Sequence, residues 1–79
     1  MPDYGGIVES IVKRLVNQPD KVSVTSERNE GGAVMVTIST ASDDVGRVIG
    51  KRGTTINAIR LVAKAAAVKP GEKVDVDLS

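Results

Sequence analysis

The spacing of apolar residues alternates between helical and strand-like periods along this chain, and that alternation restricts the order of elements it can form. Over residues 7–16 the apolar residues recur at three- and four-residue intervals, which predicts an amphipathic helix ended by Asn17-Gln18-Pro19-Asp20. Apolar and polar residues then alternate over 22–25 and 34–38, on either side of the turn residues 28–32. The first half of the chain is therefore predicted to be a helix followed by a β-hairpin.

The second half of the chain predicts two more helices and a final strand. Ser42 is placed to cap a short helix over 45–49, and Thr54 is placed to cap a longer one. The inner face of the longer helix is predicted to consist of Ile56, Ile59, Val62, Ala63, Ala66 and Ala67. Alternation over 74–78 indicates a strand that turns its two aspartates to solvent. The predicted order is α-β-β-α-α-β.

Composition excludes several functional classes. The chain contains neither cysteine nor histidine, which removes disulfide scaffolds, thiolate nucleophiles and the usual acid–base and metal-binding side chains. We therefore expect no enzyme, no cofactor and no metal. With 79 residues, 41% of them hydrophobic, the whole chain 1–79 is expected to be one small domain. No apolar run is longer than that at 65–68, which is too short to span a bilayer, so we expect a cytoplasmic protein without a membrane partner.

Charge is distributed unevenly, although the formal net charge is only +1. Residues 45–70 contain no carboxylate, whereas all ten acids lie elsewhere in the chain. The cations of that segment are Arg47, Lys51, Arg52, Arg60, Lys64 and Lys69. Such a division favours an anion-binding surface on this segment. A solvated basic helix face would have the same composition, so charge alone leaves both interpretations open.

The bend between the two predicted helices, Gly50-Lys51-Arg52-Gly53, suits a phosphate. Its glycines permit unusual backbone dihedrals and a close approach, and two cations flank the amides that begin the second helix. The same four residues are compatible with an ordinary helix connection. A P-loop matches poorly, because only three residues separate Gly46 from Gly50 and Lys51 is followed by Arg52 instead of serine or threonine.

The segment 48–56, VIGKRGTTI, resembles the signature of KH domains: a hydrophobic pair, a Gly-x-x-Gly loop and an isoleucine three residues further on. The order of elements resembles the type II arrangement of that fold, and residues 7–78 resemble the small single-KH proteins of the KhpA family. The resemblance implies an α+β fold in which three helices cover one face of a three-stranded sheet. It also implies binding of single-stranded RNA.

The resemblance further implies roles for particular residues. The loop would clamp the backbone of about four nucleotides, with Lys51 and Arg52 facing phosphates. The RNA-binding residues that it implies are Gly46, Arg47, Gly50, Lys51, Arg52, Gly53, Thr54, Asn57 and Arg60. Thr54 stands where the family often has a basic residue, which would remove one phosphate contact or replace it with a hydroxyl.

Bases bound in such a groove would rest on aliphatic side chains, because Tyr4 is the only aromatic residue of the chain. The aliphatic floor implied by the resemblance consists of Val45, Val48, Ile49 and Ile56. The alternative is that these residues belong to the core, and for Ile49 and Ile56 the helical spacing favours the core.

A single small KH domain is expected to bind RNA weakly, and the resemblance implies pairing with a second copy or with a larger Jag-like KH protein, KhpB. Leu61, Ala65 and Val68 offer a pairing surface on the long helix. The implied role is that of a post-transcriptional regulator or RNA chaperone affecting growth or cell shape. An adaptor that mainly binds protein is the alternative. A metal site at the acid pairs 43–44 or 75–77 has little support.

Overall fold

The computed structural model describes residues 3–79 and confirms the predicted order of elements. The helices and strands are α1 (Tyr4–Leu15), β1 (Ser23–Arg28), β2 (Val34–Ser39), α2 (Val45–Ile49), α3 (Thr54–Val68) and β3 (Val74–Leu78). Short 3-10 turns at Pro19–Lys21, Ser42–Asp44 and Lys51–Gly53 connect α1 to β1, β2 to α2 and α2 to α3. The fold is therefore α+β, with the helices and strands in the order expected for a type II KH domain.

The sheet has the strand order β1-β2-β3, so β2 is central. The hairpin pairs β1 with β2 in antiparallel register, with Val24 opposite Ile38, and β2 runs parallel to β3, with Val36 opposite Val76. Alternate residues of β2 and β3 are buried, because one face of the sheet meets the helices and the other faces solvent. The parallel pair requires a crossover, which α2 and α3 supply.

The core lies between the sheet and the helices. Helix α1 packs against β1 and β2, α3 packs against β3, and α2 contacts both other helices. The buried apolar residues form one cluster: Tyr4, Val8, Val12, Val34, Val36, Ile38, Val48, Ile56, Ile59, Ala63, Ala67, Val74 and Val76. Most are small or β-branched, which lets the helices approach the sheet closely.

Two predicted core positions are wrong. Val62 is 46% exposed, because the buried stripe of α3 is centred on Ile59 and Ala63 and turns Val62 toward a groove beside α1. Ile49 is 36% exposed, because the five-residue helix α2 turns only Val48 fully into the core. Ile56 is buried, as its spacing predicted.

Both predicted helix caps are also wrong. Ser42 lies in the 3-10 turn that carries the chain into α2, and neither that turn nor α2 has a side-chain cap among the described residues. Thr54 is the first residue of α3 after the left-handed Gly53, so its hydroxyl instead donates to the carbonyl of Lys51 at 2.8 Å. The observed side-chain cap is Asp3, which accepts from the amide of Gly6 at 3.0 Å and begins α1.

The only aromatic ring of the chain is part of the core, a position that its isolated place in the sequence did not predict. The Tyr4 hydroxyl donates to Glu72 at 2.7 Å, and Arg28 donates to the other oxygen of that carboxylate, also at 2.7 Å. Burial, followed by the hydrogen bond to Glu72, raises the pKa of Tyr4. The hydrogen bonds from Tyr4 and then Arg28 lower the pKa of Glu72. This contact joins α1, the end of β1 and the turn before β3.

Candidate nucleic-acid interface

The bend between α2 and α3 has an unusual backbone. Gly50 has φ 75°, Arg52 φ 59° and Gly53 φ 77°, so three of its four residues lie at positive φ. A Cβ at Gly50 would lie 2.8 Å from the backbone nitrogen of Thr55, which requires glycine there for space as well as for conformation. The space around Gly53 is more open, since a Cβ there would meet only the side-chain amide of Asn57, 3.8 Å away.

The two cations of the bend are available to a ligand. Lys51 and Arg52 are exposed, and neither forms an ion pair with any other residue of the range 3–79. Within the same range no side chain caps the N-terminus of α3, and its first turn contains no acid. The positive end of a 15-residue helix therefore adds to two uncompensated side-chain charges.

Arg47 lies on α2, one turn before the bend, and is paired. Its Nε lies 3.6 Å from Oδ1 of Asp44, whose side chain is only 1% exposed. The same carboxylate accepts from the amides of Asn17 and Gln18 at 3.1 Å each, so Asp44 fixes the start of α2 to the end of α1. Asp44 is therefore a structural anchor. No sequence pattern indicated this role, because the partners lie 26 and 27 residues apart in sequence.

Arg60 is directed toward β3. Its Nε donates to the carbonyl of Val76 at 2.8 Å, and its Nη1 donates to Oδ1 of Asn57 at 3.0 Å. Two carboxylates flank the guanidinium, Asp75 at 3.9 Å and Asp77 at 3.8 Å. The structure thus places Asn57 beside the bend, whereas it turns Arg60 to the neighbouring strand.

The aliphatic residues expected to contact bases fall into two groups. Val48 and Ile56 are buried and cannot touch a ligand, whereas Val45 and Ile49 are exposed on α2 next to the bend. Gly46 is also exposed, with open space where a side chain would stand. An aliphatic floor in this structure therefore consists of the two exposed residues.

A second apolar surface lies on the outer sides of α1 and α3. A groove of about 320 Å³ between the two helices is lined by Ile11, Leu15, Ile59 and Val62, among others. Beyond it, Leu61 is 69% exposed and Val68 is 76% exposed, and Ala65 is exposed between them. These three residues are accessible, as expected for a pairing surface.

The two acids of β3 have partners close by. Asp75 and Asp77 each accept from the amide of the following residue at 2.9 Å and flank Arg60. No group of three potential metal ligands occurs in the part of the chain that the structure describes. Of the helices between residues 3 and 79, none is long and apolar enough to cross a membrane.

Comparison with known proteins gives consistent results. Residues 6–78 match the family model described as KhpA/KhpB, KH domain. An RNA-binding protein KhpA of Halalkalibacterium halodurans is 43% identical over 72 residues, which cover 91% of this chain and 93% of that protein. A protein of the same name from Clostridium acetobutylicum is 42% identical over 72 residues, covering 91% and 95%. These relatives are named as RNA-binding proteins, which confirms the expectation that the chain is not an enzyme.

The fold also occurs in a larger protein of known structure. A crystal structure of an Aquifex aeolicus Era variant bound to GDP.AlF4- aligns with a TM-score of 0.64 at 17% identity. The alignment covers 95% of this chain and 29% of the Era chain. At this identity the match indicates a similar fold, and the chain spans less than a third of the length of Era.

Proposed function

This chain belongs to the KhpA/KhpB family of KH domains, and we propose that it binds single-stranded RNA through the bend at residues 50–53. The observation that carries the proposal is the pair of exposed, unpaired cations, Lys51 and Arg52, at the uncapped N-terminus of α3. Phosphate oxygens would accept hydrogen bonds from both side chains and from the amides of the helix end. The glycines at either end of the bend would let the RNA backbone approach closely.

Bases would lie beside α2. Val45 and Ile49 are the exposed aliphatic residues there, and the single aromatic ring of the chain, Tyr4, is buried. Stacking on aromatic rings is thus replaced by aliphatic contact, which is sequence-tolerant and weak. We therefore expect modest affinity, set mainly by phosphate contacts and strongly dependent on salt.

Fluorescence anisotropy with short single-stranded RNAs tests the proposal. The wild-type chain is compared with Lys51→Asp/Arg52→Asp and with the control Lys64→Asp/Lys69→Asp, which makes the same charge change on the same basic segment. Only the variant of the bend is expected to lose binding. In the wild type the slope of log K against log salt should be about −0.7 for each phosphate neutralised. Equal binding by both variants, with folding verified by circular dichroism, would reject the clamp.

We also propose that two such domains pair, either as two copies or with a larger KH protein of the KhpB type. The exposed surface at Leu61, Ala65 and Val68, on the helix that also lines the groove beside α1, supports this proposal. Linking two weak RNA sites would raise the effective affinity without new contacts to RNA. Light scattering at high micromolar concentration should give a dimer mass that Leu61→Glu/Val68→Glu reduces to that of a monomer.

The exposed apolar surface also favours a second candidate function, a protein-interaction adaptor in which RNA contact is secondary. RNA binding by the Leu61→Glu/Val68→Glu monomer separates the two candidates. Retained but weaker binding supports an RNA-binding domain that gains avidity by pairing, and with it a role as post-transcriptional regulator or RNA chaperone. A wild-type dimer that binds none of the RNAs supports the adaptor.

A further inference from the structure

We propose that Asn57 presents its amide N–H donors to an oxygen acceptor of RNA held at the bend, and that Arg60 is a positioning residue that fixes this orientation. The inference rests on the proposed RNA-binding function. It assigns different roles to two residues that the family resemblance groups together as RNA contacts.

The orientation of Asn57 follows from the chemistry of its partner. A guanidinium carries only hydrogen-bond donors, so the group that faces Nη1 of Arg60 at 3.0 Å must be the carbonyl oxygen of Asn57. The amide nitrogen of Asn57 then lies on the opposite side. That side is the bend, because a Cβ on Gly53 would be 3.8 Å from Nδ2 of Asn57. The absence of a side chain at Gly53 leaves the Asn57 donors open to a ligand.

Arg60 itself is held in place by a hydrogen bond and lies beside two carboxylates. Its Nε donates to the main-chain carbonyl of Val76, which fixes the guanidinium between α3 and β3. Asp75 and Asp77 lie within 4 Å on the outer side, at 3.9 and 3.8 Å. A phosphate approaching Arg60 would meet two carboxylates. The arrangement suits a residue that orients Asn57 and is poorly suited to binding phosphate directly.

The acceptor that Asn57 would bind is an oxygen, which RNA offers either on its sugar–phosphate backbone or on its bases. Phosphate and ribose oxygens are the same in every sequence, whereas base carbonyls occur on uracil, cytosine and guanine and are absent from adenine. Hydrogen bonding to exposed base edges is a usual source of specificity in single-stranded RNA. Comparison of oligo(U) with oligo(A) therefore distinguishes the two sources.

The experiment is a double-mutant cycle of RNA affinity with Asn57→Ala, Arg60→Lys and the double variant. Both substitutions keep the net charge, so general electrostatic attraction is unchanged. Loss of one hydrogen bond should weaken binding about 2- to 10-fold in Asn57→Ala. Arg60→Lys, which lacks the rigid fork, should weaken binding similarly in the wild-type background and have no further effect when Asn57 is already alanine. Neither should alter the salt slope, whereas Lys51→Ala should reduce its magnitude by about 0.7.

The affinities of the variants for oligo(U) and oligo(A) distinguish the possible acceptors and test the inference. An equal loss on oligo(U) and oligo(A) supports an acceptor on the sugar–phosphate backbone, and a loss confined to oligo(U) supports a base carbonyl. Wild-type affinity in Asn57→Ala overturns the inference while leaving the clamp intact. A full effect of Arg60→Lys in the Asn57→Ala background also overturns it, because Arg60 would then act independently of Asn57. If the wild-type chain binds neither oligonucleotide, the proposed function fails, and this inference fails with it.

Discussion

The phenol of Tyr4 and the carboxylate of Glu72 are joined by a 2.7 Å hydrogen bond across 68 positions of sequence. The second oxygen of Glu72 accepts from Arg28, which also donates to the carbonyl of Gly32 in the hairpin turn. One carboxylate thus connects the first turn of α1, the hairpin and the turn that precedes β3. In a chain of this size, with a small core, such a connection between distant segments contributes noticeably to stability.

Acid should destabilise the fold, because Glu72 is hydrogen-bonded in its charged form. Its pKa is lower in the folded chain than in the unfolded chain, because Tyr4 and then Arg28 donate to the charged form. This stabilisation is complete above the unfolded pKa, about 4.3, and is lost as pH falls through the folded pKa. Urea unfolding between pH 7 and pH 3 should show Glu72→Gln as less stable at pH 7, with the difference shrinking in acid. The control Glu30→Gln, in the exposed hairpin turn, should follow the wild type throughout.

The order of elements was predictable from sequence because each helix or strand has a clear apolar period. Val8 and Val12 on α1, and Val34, Val36 and Ile38 on β2, are buried where their spacing placed them. Boundaries and caps were less predictable. The 3-10 turn before α2 takes up Ser42, and α3 begins at Thr54 directly after the 3-10 turn that precedes it, so neither residue is in a capping position. Apolar spacing carries no signal for such turns.

Removal of the Asp44 side chain should cause a large and specific loss of stability. Its buried carboxylate accepts from the amides of Asn17 and Gln18, so Asp44→Ala leaves both without that partner. We expect a loss of about 2–3 kcal/mol in the free energy of unfolding. Asp43→Ala is the matched control, because Asp43 is the exposed neighbour in the same turn and should change stability by less than about 0.5 kcal/mol. Equal effects of the two substitutions would contradict the anchoring role.

Substitution of the two glycines of the bend by alanine should lower the free energy of unfolding by unequal amounts. Both have positive φ, so alanine at either position should cost about 1 kcal/mol from backbone conformation. Only at Gly50 would the added Cβ overlap the backbone of Thr55, which raises the expected cost of Gly50→Ala to about 3 kcal/mol. Urea denaturation of Gly50→Ala and Gly53→Ala measures the difference. A larger loss at Gly53 would mean that the bend is held by contacts other than these.

The sequence identified the bend as the candidate site, but it did not show which cations of the basic segment 45–70 are paired with carboxylates. Six cations and no acid lie between residues 45 and 70, yet Arg47 is paired with Asp44 and Arg60 lies between Asp75 and Asp77. The pairing with Asp75 and Asp77 depends on α3 lying beside β3, which places residues 15 or more positions apart in contact. Charge counted along the chain therefore overestimates the number of cations open to a phosphate.

Substitution of Arg52 should change the stability of the fold and the affinity for RNA in different ways. Arg52 is the one non-glycine residue at positive φ among those described, at φ 59° and ψ 27°, a conformation that costs an L-residue about 1 kcal/mol. Arg52→Gly removes that strain but raises the entropy of the unfolded chain, so we expect the free energy of unfolding to stay equal or rise by up to about 1 kcal/mol. RNA affinity should fall, because one of the two unpaired cations of the bend is lost, and the salt slope should decrease in magnitude by about 0.7. Arg52→Lys, which keeps the charge and the strain, should retain most of the binding. A strongly destabilised Arg52→Gly would instead show that the arginine side chain supports the fold.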